Sequence, residues 1–163
     1  MKKLLFVLAL LVGILCPESL AAASLPAGFD INTVVVRETG DGWSYFTLNN
    51  SAAKQLKSMG FKFVRSTREK VYLGSEDDSP TSVKANVYGK GGIEVTVAGT
   101  SEFVNRITIV FPDAETLRQF IETARKLGYA ERNSFEGSTT YGIDDSALEM
   151  TVKGLKAVFQ FNS

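Results

Sequence analysis

Residues 112–129 contain the strongest helix pattern of the chain. Apolar side chains recur there with the spacing i, i+3, i+4, i+7 and i+10, at Leu117, Phe120, Ile121, Ala124 and Leu127. Such a stripe predicts an amphipathic helix with one buried face. Asp113 is a favourable N-cap residue, Glu115 suits the first turn, and Gly128 can adopt the left-handed conformation that ends a helix. A shorter pattern at residues 50–59, which ends at Gly60, predicts a second helix.

Most of the remaining chain after residue 60 alternates between apolar and polar residues. Such alternation predicts antiparallel strands with one buried face and one solvated face. The residues predicted to point inward are Val83, Ala85, Val87, Ile93, Val95, Val97, Ile107, Ile109, Phe111, Ala157, Phe159 and Phe161. Glycine-rich segments, such as residues 89–92, separate the strands and favour hairpin turns.

The two halves of the sequence follow the same pattern. Each has a strand, a capped helix, a glycine stop and an aromatic residue (Phe61 or Tyr129) that opens four further strands. The sequence therefore predicts an α+β fold of two β-α-β4 repeats, residues 24–98 and 99–163, in one compact unit. The repeats would form one curved antiparallel sheet with both helices on one face. A single α+β sheet without duplication is the alternative.

The predicted arrangement resembles the TATA-binding protein in topology only. No motif of that DNA-binding family is present, so the resemblance implies a fold and no function.

The first 23 residues have the pattern of a secretory signal peptide. Lys2 and Lys3 precede an apolar run at residues 4–15, and small residues end the segment at Ala23. The run is short for a membrane span, so we expect cleavage after Ala23 and a periplasmic or secreted protein without a membrane span. An uncleaved anchor and a lipoprotein acylated at Cys16 are the alternatives, and the large Leu15 before the cysteine disfavours the second.

The composition of the mature chain excludes several function classes. The sequence has no histidine and one cysteine, Cys16, which would leave with the signal peptide. Thiol catalysis, Ser-His-Asp catalysis and the usual zinc sites are therefore excluded, and we expect no enzyme activity, no metal and no cofactor. Without Lys2, Lys3 and Glu18, the 18 basic and 18 acidic residues become 16 and 17, so nucleic-acid binding is not expected.

The solvated face of the sheet is the candidate binding surface. Tyrosine offers a large rigid contact area with a polar tip, which suits interfaces, although it also simply favours strands. The leading hypothesis is an exported, non-enzymatic domain that binds a protein, peptide or envelope component through this open face or through an edge strand. The candidate residues are Tyr72, Lys84, Asn86, Tyr88, Glu94, Tyr141, Glu149 and Gln160. Trp43 is either an exposed contact or a lid over a helix end.

Two other functions are open at this level. A small hydrophobic ligand would need a pocket between helices and sheet, lined by Phe63, Phe111, Phe120 and Phe159. A carboxylate-dependent glycan hydrolase would need Glu94 and Glu149 to meet as an acid and base pair. The acidic segments 76–78 and 144–145 are expected to be solvated loops, and free sheet edges would allow a homodimer.

Overall fold

The computed structural model of the protein describes residues 24–40, 42–73, 79–143 and 146–161. The predicted signal peptide with Cys16 and the acidic segments 76–78 and 144–145 lie outside these residues, and so does the Trp43 side chain.

The long helix forms where the sequence predicts it. Helix α2 spans Ala114–Leu127, and the Asp113 carboxylate caps it by accepting a hydrogen bond from the Thr116 backbone N–H at 2.7 Å. Gly128 ends the helix with a φ of 112°, in the left-handed region that favours glycine. The second predicted helix is α1, Ala52–Ser58.

The strands form two sheets. β1 (Val35–Gly40) and β2 (Trp43–Leu48) make a two-stranded antiparallel sheet. The other eight strands form one antiparallel sheet in the order β3-β4-β5-β6-β10-β9-β8-β7. These eight are β3 (Lys62–Val71), β4 (Thr81–Lys90), β5 (Ile93–Gly99), β6 (Val104–Val110), β7 (Ala130–Phe135), β8 (Ser138–Gly142), β9 (Leu148–Lys153) and β10 (Lys156–Phe161).

The large sheet consists of two four-stranded meanders that meet at its centre. The chain runs from one edge through β3, β4, β5 and β6, makes α2, and then runs from the other edge through β7, β8, β9 and β10. β6 and β10 join the meanders as antiparallel neighbours, with Thr108 opposite Val158. The α+β class and the large antiparallel sheet are therefore as predicted.

The predicted topology differs from the structure on the N-terminal side. The strand before α1 was expected in the main sheet, but β2 pairs only with β1 along the full length of a local hairpin. The segment from residue 62 to 71 is one strand, whereas two were expected. A short connection makes local pairing entropically cheap, which favours this separate hairpin. The arrangement resembling the TATA-binding protein is not confirmed.

The main core lies between the helices and one face of the large sheet. Leu56 of α1 and Phe120 of α2 belong to the same buried cluster as Val95, Ile107 and Phe159 of the sheet, so both helices cover the same face. The Phe120 ring lies between other rings, with centroids 5.3 Å from Phe111, 5.6 Å from Phe29 and 6.1 Å from Phe159. Aromatic packing therefore fixes α2 on the sheet.

Replacing Tyr129 with phenylalanine is expected to raise the free energy of unfolding by about 1 kcal/mol. The Tyr129 hydroxyl is buried, and no described residue gives it a hydrogen bond. The same burial raises the pKa of this phenol. Phe61 follows Gly60 as Tyr129 follows Gly128, and Phe61 is buried in the main core without a hydroxyl group. Urea unfolding of the original protein and of the Tyr129→Phe protein measures the difference. A less stable Tyr129→Phe protein would show that the hydroxyl has a hydrogen-bond partner.

Candidate functional site

The register of the strands defines which side chains lie on the open face, the face opposite α1 and α2. A continuous row of β-branched residues crosses six strands at directly opposed positions. We call it the threonine row, and it consists of Val87, Thr96, Thr108, Val158, Thr151 and Thr140. Charged and small residues flank this row on both sides.

Tyr88 does not lie on the open face, contrary to the prediction. Gly91 and Gly92 both have positive φ angles, 58° and 80°, and form a two-residue turn that pairs Lys90 with Ile93. Directly opposed residues share a face, and the side-chain period is two, so Tyr88 lies on the same face as Ile93. Tyr88 is 3% exposed in the main core.

The same parity places Lys84 and Asn86 away from the open face. Asn86 is opposite the buried Val97, and its side-chain oxygen accepts a hydrogen bond from the Ser66 hydroxyl at 2.7 Å. Lys84 is exposed near the outer edge of the sheet, beside Ser66 and Arg68. Val83, Ala85 and Val87, which were predicted to face the helices, therefore face the open side.

Of the other five candidates, three lie on the open face. Tyr141 is opposite Met150 in the main core and is 7% exposed, so its predicted place on the open face is wrong. Tyr72 is exposed just beyond the end of β3. Glu94, Glu149 and Gln160 lie on the open face, because they are opposite Val110, Gln160 and Arg106 in the flanking rows.

Two ion pairs occupy corresponding corners of the open face. Arg65 of β3 lies 3.3 Å from Glu94 of β5, and Arg132 of β7 lies 3.5 Å from Glu149 of β9. Each arginine crosses the intervening strand where that strand has a glycine, because Gly89 is opposite Glu94 and Gly142 is opposite Glu149. A Cβ atom at Gly142 would overlap the Arg132 side chain, so the glycine makes room for the guanidinium.

Glu94 and Glu149 do not form an acid and base pair. Three strand spacings separate β5 from β9, which amounts to about 14 Å in a flat sheet, and the two residues lie four positions apart along the strands, about 13 Å. Glycosidase carboxyl groups lie roughly 5–10 Å apart. In addition, each of these carboxylates is bound by an arginine. The geometry gives no support to the proposed hydrolase pair.

Arg106 shows that the open face is concave in the first meander. Its guanidinium donates to the Lys70 carbonyl at 3.0 Å and lies 3.9 Å from the Glu69 carboxylate. β6 and β3 are three strands apart, about 14 Å in a flat sheet, which is more than an arginine side chain spans. The sheet therefore curls so that β3 approaches β6.

A small second hydrophobic cluster lies under this arch. Val71, Val83, Ala85 and Ala98 are buried together, apart from the main core. Ala85 and Ala98 are directly opposite each other, and Arg106 is the next residue in the same row. Two alanines leave space for the arginine side chain to cross the strands toward Glu69.

The second meander has an open depression where the first has this cluster. The depression has a volume of about 250 Å³ and is lined by Ser138, Thr151, Lys153, Lys156, Val158 and Gln160. Lys153 and Lys156 are exposed and directly opposite each other on β9 and β10. No carboxylate of the described residues lies within 4.0 Å of either ammonium group.

The residues predicted to line a hydrophobic pocket are distributed differently. Phe111, Phe120 and Phe159 are at most 2% exposed and fill the space between α2 and the sheet with their own rings. Phe63 is 55% exposed on the edge strand β3. These four side chains form part of a packed core and of the molecular surface, and they do not surround one cavity.

Sequence reasoning missed the basic residues that dominate the open face. Arg65, Arg106 and Arg132 meet acceptors that are 11 to 54 positions away in the sequence. Only the pairing of strands brings these residues together. The lysine pair was detectable, because a two-residue turn at Gly154 and Leu155 places Lys153 opposite Lys156.

The described residues contain no group of three or more acidic, histidine or cysteine side chains arranged to hold a metal ion. Among them, no helix is both long and apolar enough to span a bilayer. Compared with protein-family models, curated proteins and solved structures, the chain matches none of them.

Proposed function

We propose that this protein is an exported, non-enzymatic binding domain and that the open face of its large sheet holds the partner. One observation carries the proposal. The threonine row and its charged flanks extend across six strands on the side opposite both helices, and five of the six residues of the row, all except the buried Val87, remain partly exposed there. The partner would be a protein, peptide or envelope component.

The composition of this face suits recognition. Threonine hydroxyls of the central row donate and accept hydrogen bonds, while their methyl groups supply apolar contact. The flanking ion pairs leave acceptors and donors at fixed positions, because each arginine is held by a carboxylate on another strand. Preorganised polar groups on a rigid sheet lower the entropy cost of binding.

Thr108→Arg is expected to reduce partner capture at least tenfold, because a bulky charge in the centre of an interface removes shape complementarity and leaves a desolvated cation. The mature chain would be immobilised and exposed to an envelope extract of its source, and the captured mass identified by native mass spectrometry. Thr39→Arg is the matched control, since it adds the same side chain at an exposed site on β1. Thermal unfolding verifies that both variants fold.

Equal capture by the Thr108→Arg and Thr39→Arg proteins would contradict the use of the open face. The second candidate binding surface is then the edge strand β7. All six of its residues are exposed, and Phe135 is 70% exposed. Unpaired edges bind extended peptides or second copies of the chain by strand addition. Loss of capture in Phe135→Lys together with retention in Thr108→Arg would favour this edge.

A further inference from the structure

Among the described residues of the open face, the cations without an ion pair are Lys62, alone at the start of β3, and the adjacent pair Lys153 and Lys156. Arg65, Arg106 and Arg132 each lie within ion-pair distance of a glutamate. Lys153 and Lys156 have no such partner among the described residues, although the whole chain has equal numbers of basic and acidic residues.

The two lysines are directly opposed on neighbouring antiparallel strands, a position at which like charges are destabilising. In the corresponding register of the first meander, Arg106 is opposite Ala98, and Glu69 of the long strand β3 reaches the arginine. β7 has only six residues, and the chain has already turned at Glu136 and Gly137, so no carboxylate of β7 takes the place of Glu69.

The other polar residues around the lysines can donate hydrogen bonds to a ligand. Ser138 and Thr151 contribute hydroxyl groups. The Gln160 side-chain oxygen already accepts a hydrogen bond from Arg106 Nε at 3.1 Å, which leaves the amide NH2 group as its donor. Glu149, the carboxylate on the same face of β9, is bound by Arg132. Glu136 in the adjoining turn forms no ion pair with either lysine.

We infer that this depression, lined by Ser138, Thr151, Lys153, Lys156, Val158 and Gln160, is a binding site for a phosphate group. Two ammonium charges match the charge of a phosphate monoester, about −1.5 to −2 at pH 7, and Lys binds phosphate as a point charge. The external anion would take the place that Glu69 has in the first meander. This inference rests on the proposed use of the open face and names one chemical group of its partner.

The exposed Phe135 ring indicates how a larger ligand would extend from the site. Phe135 is opposite Ser138, and Ser138 is opposite Lys153, so the ring and the lysines lie in one row on the same face. An apolar ring beside the anion site offers a contact surface for the rest of a phosphorylated molecule.

The test is a titration of the mature chain with inorganic phosphate at pH 7 and constant ionic strength, followed by amide NMR shifts. We expect saturable shifts at the six lining residues and at least tenfold weaker binding in the Lys153→Gln/Lys156→Gln protein. The Lys54→Gln/Lys126→Gln protein is the matched control, because it loses the same charge from exposed sites on α1 and α2 and should bind normally. Acetate, with a single charge, should bind several-fold more weakly than phosphate.

Several outcomes would overturn the site. These are shifts that do not saturate, equal affinity for acetate and phosphate, or unchanged phosphate binding in the Lys153→Gln/Lys156→Gln protein. If that double variant does not fold, Lys153→Gln alone should weaken binding at least threefold, and unchanged affinity would refute the site. Glucose 6-phosphate distinguishes free phosphate from a larger phosphorylated ligand. If it binds more tightly than phosphate, the site belongs to a larger phosphorylated molecule. If both bind equally, the site belongs to phosphate itself.

The experiment separates this inference from the proposed function. Partner capture that Thr108→Arg abolishes, without any phosphate binding, would refute the phosphate site and leave the open face as the binding surface. Phosphate binding at the lysines together with capture insensitive to Thr108→Arg would support the site and refute the broader face.

Discussion

Replacing Phe120 with alanine is expected to lower the free energy of unfolding by about 3–5 kcal/mol. Phe120 is fully buried, and its ring contacts Phe29, Phe111 and Phe159, which belong to the N-terminal segment, the end of β6 and β10. Truncation would therefore leave a cavity where three parts of the fold meet. Small domains have a total stability of roughly 5–15 kcal/mol, so the loss is a large fraction of it.

Urea unfolding of a protein comprising residues 24–163 measures this change. Phe135→Ala is the matched control, since the same truncation at a 70% exposed site should change stability by about 0.5 kcal/mol or less. Should Phe120→Ala not fold at all, Phe120→Leu should retain a folded protein of reduced stability. A loss below about 1 kcal/mol in Phe120→Ala would show that the aromatic cluster does not anchor α2.

Replacing Gly99 with alanine is expected to cost about 3 kcal/mol or more. A Cβ atom at Gly99 would overlap the Phe103 carbonyl oxygen and lie 2.9 Å from the Val104 Cα. Both are backbone atoms of a tight turn that the hydrogen bond from the Thr100 N–H to the Phe103 oxygen closes at 2.9 Å. The clash therefore cannot be relieved by a side-chain rotation, and the turn between β5 and β6 would have to open.

Gly40→Ala is the control for this substitution. A Cβ atom at Gly40 would meet nothing within 4 Å, and Gly40 is not among the residues with positive φ. Equal unfolding midpoints in urea for the Gly99→Ala and Gly40→Ala proteins would contradict the close approach at Gly99. Because β5 and β6 contribute to the threonine row, Gly99→Ala should also change the amide NMR shifts of Thr96 and Thr108.

The features that the sequence predicted correctly depend on local interactions. The ends of α2 follow from Asp113 and Gly128, whose roles are set within one turn of helix. The inward positions of Ile107, Ile109 and Phe111 follow from strict alternation beside that helix. In such a pattern two independent signals, the buried stripe and the caps, predict the same helix and therefore support each other.

The features that the sequence did not predict depend on which of the two faces of a strand is buried and on the pairing between strands. The β4 sequence has apolar residues at both parities, Val83 and Ala85 on one and Tyr88 on the other, and both faces of this strand are buried in part. Only the length of the turn at Gly91 and Gly92 decides which of the two sets faces the helices, because it sets the register of β4 against β5. The partners of the arginines follow from the three-dimensional arrangement of segments that are distant in the sequence.

The central position of β10 has a consequence for the order in which the protein folds. β10 follows all other strands along the chain, yet it lies in the middle of the large sheet and joins β6 to β9. The first meander can form its own hairpins early, but its β6 edge stays unpaired until the last strand arrives. Contact between β6 and β10 spans about fifty residues, a long loop closure that is expected to be a late and slow step. A chain in which β10 has not yet paired therefore leaves an edge of β6 open, although β6 is a central strand of the complete sheet.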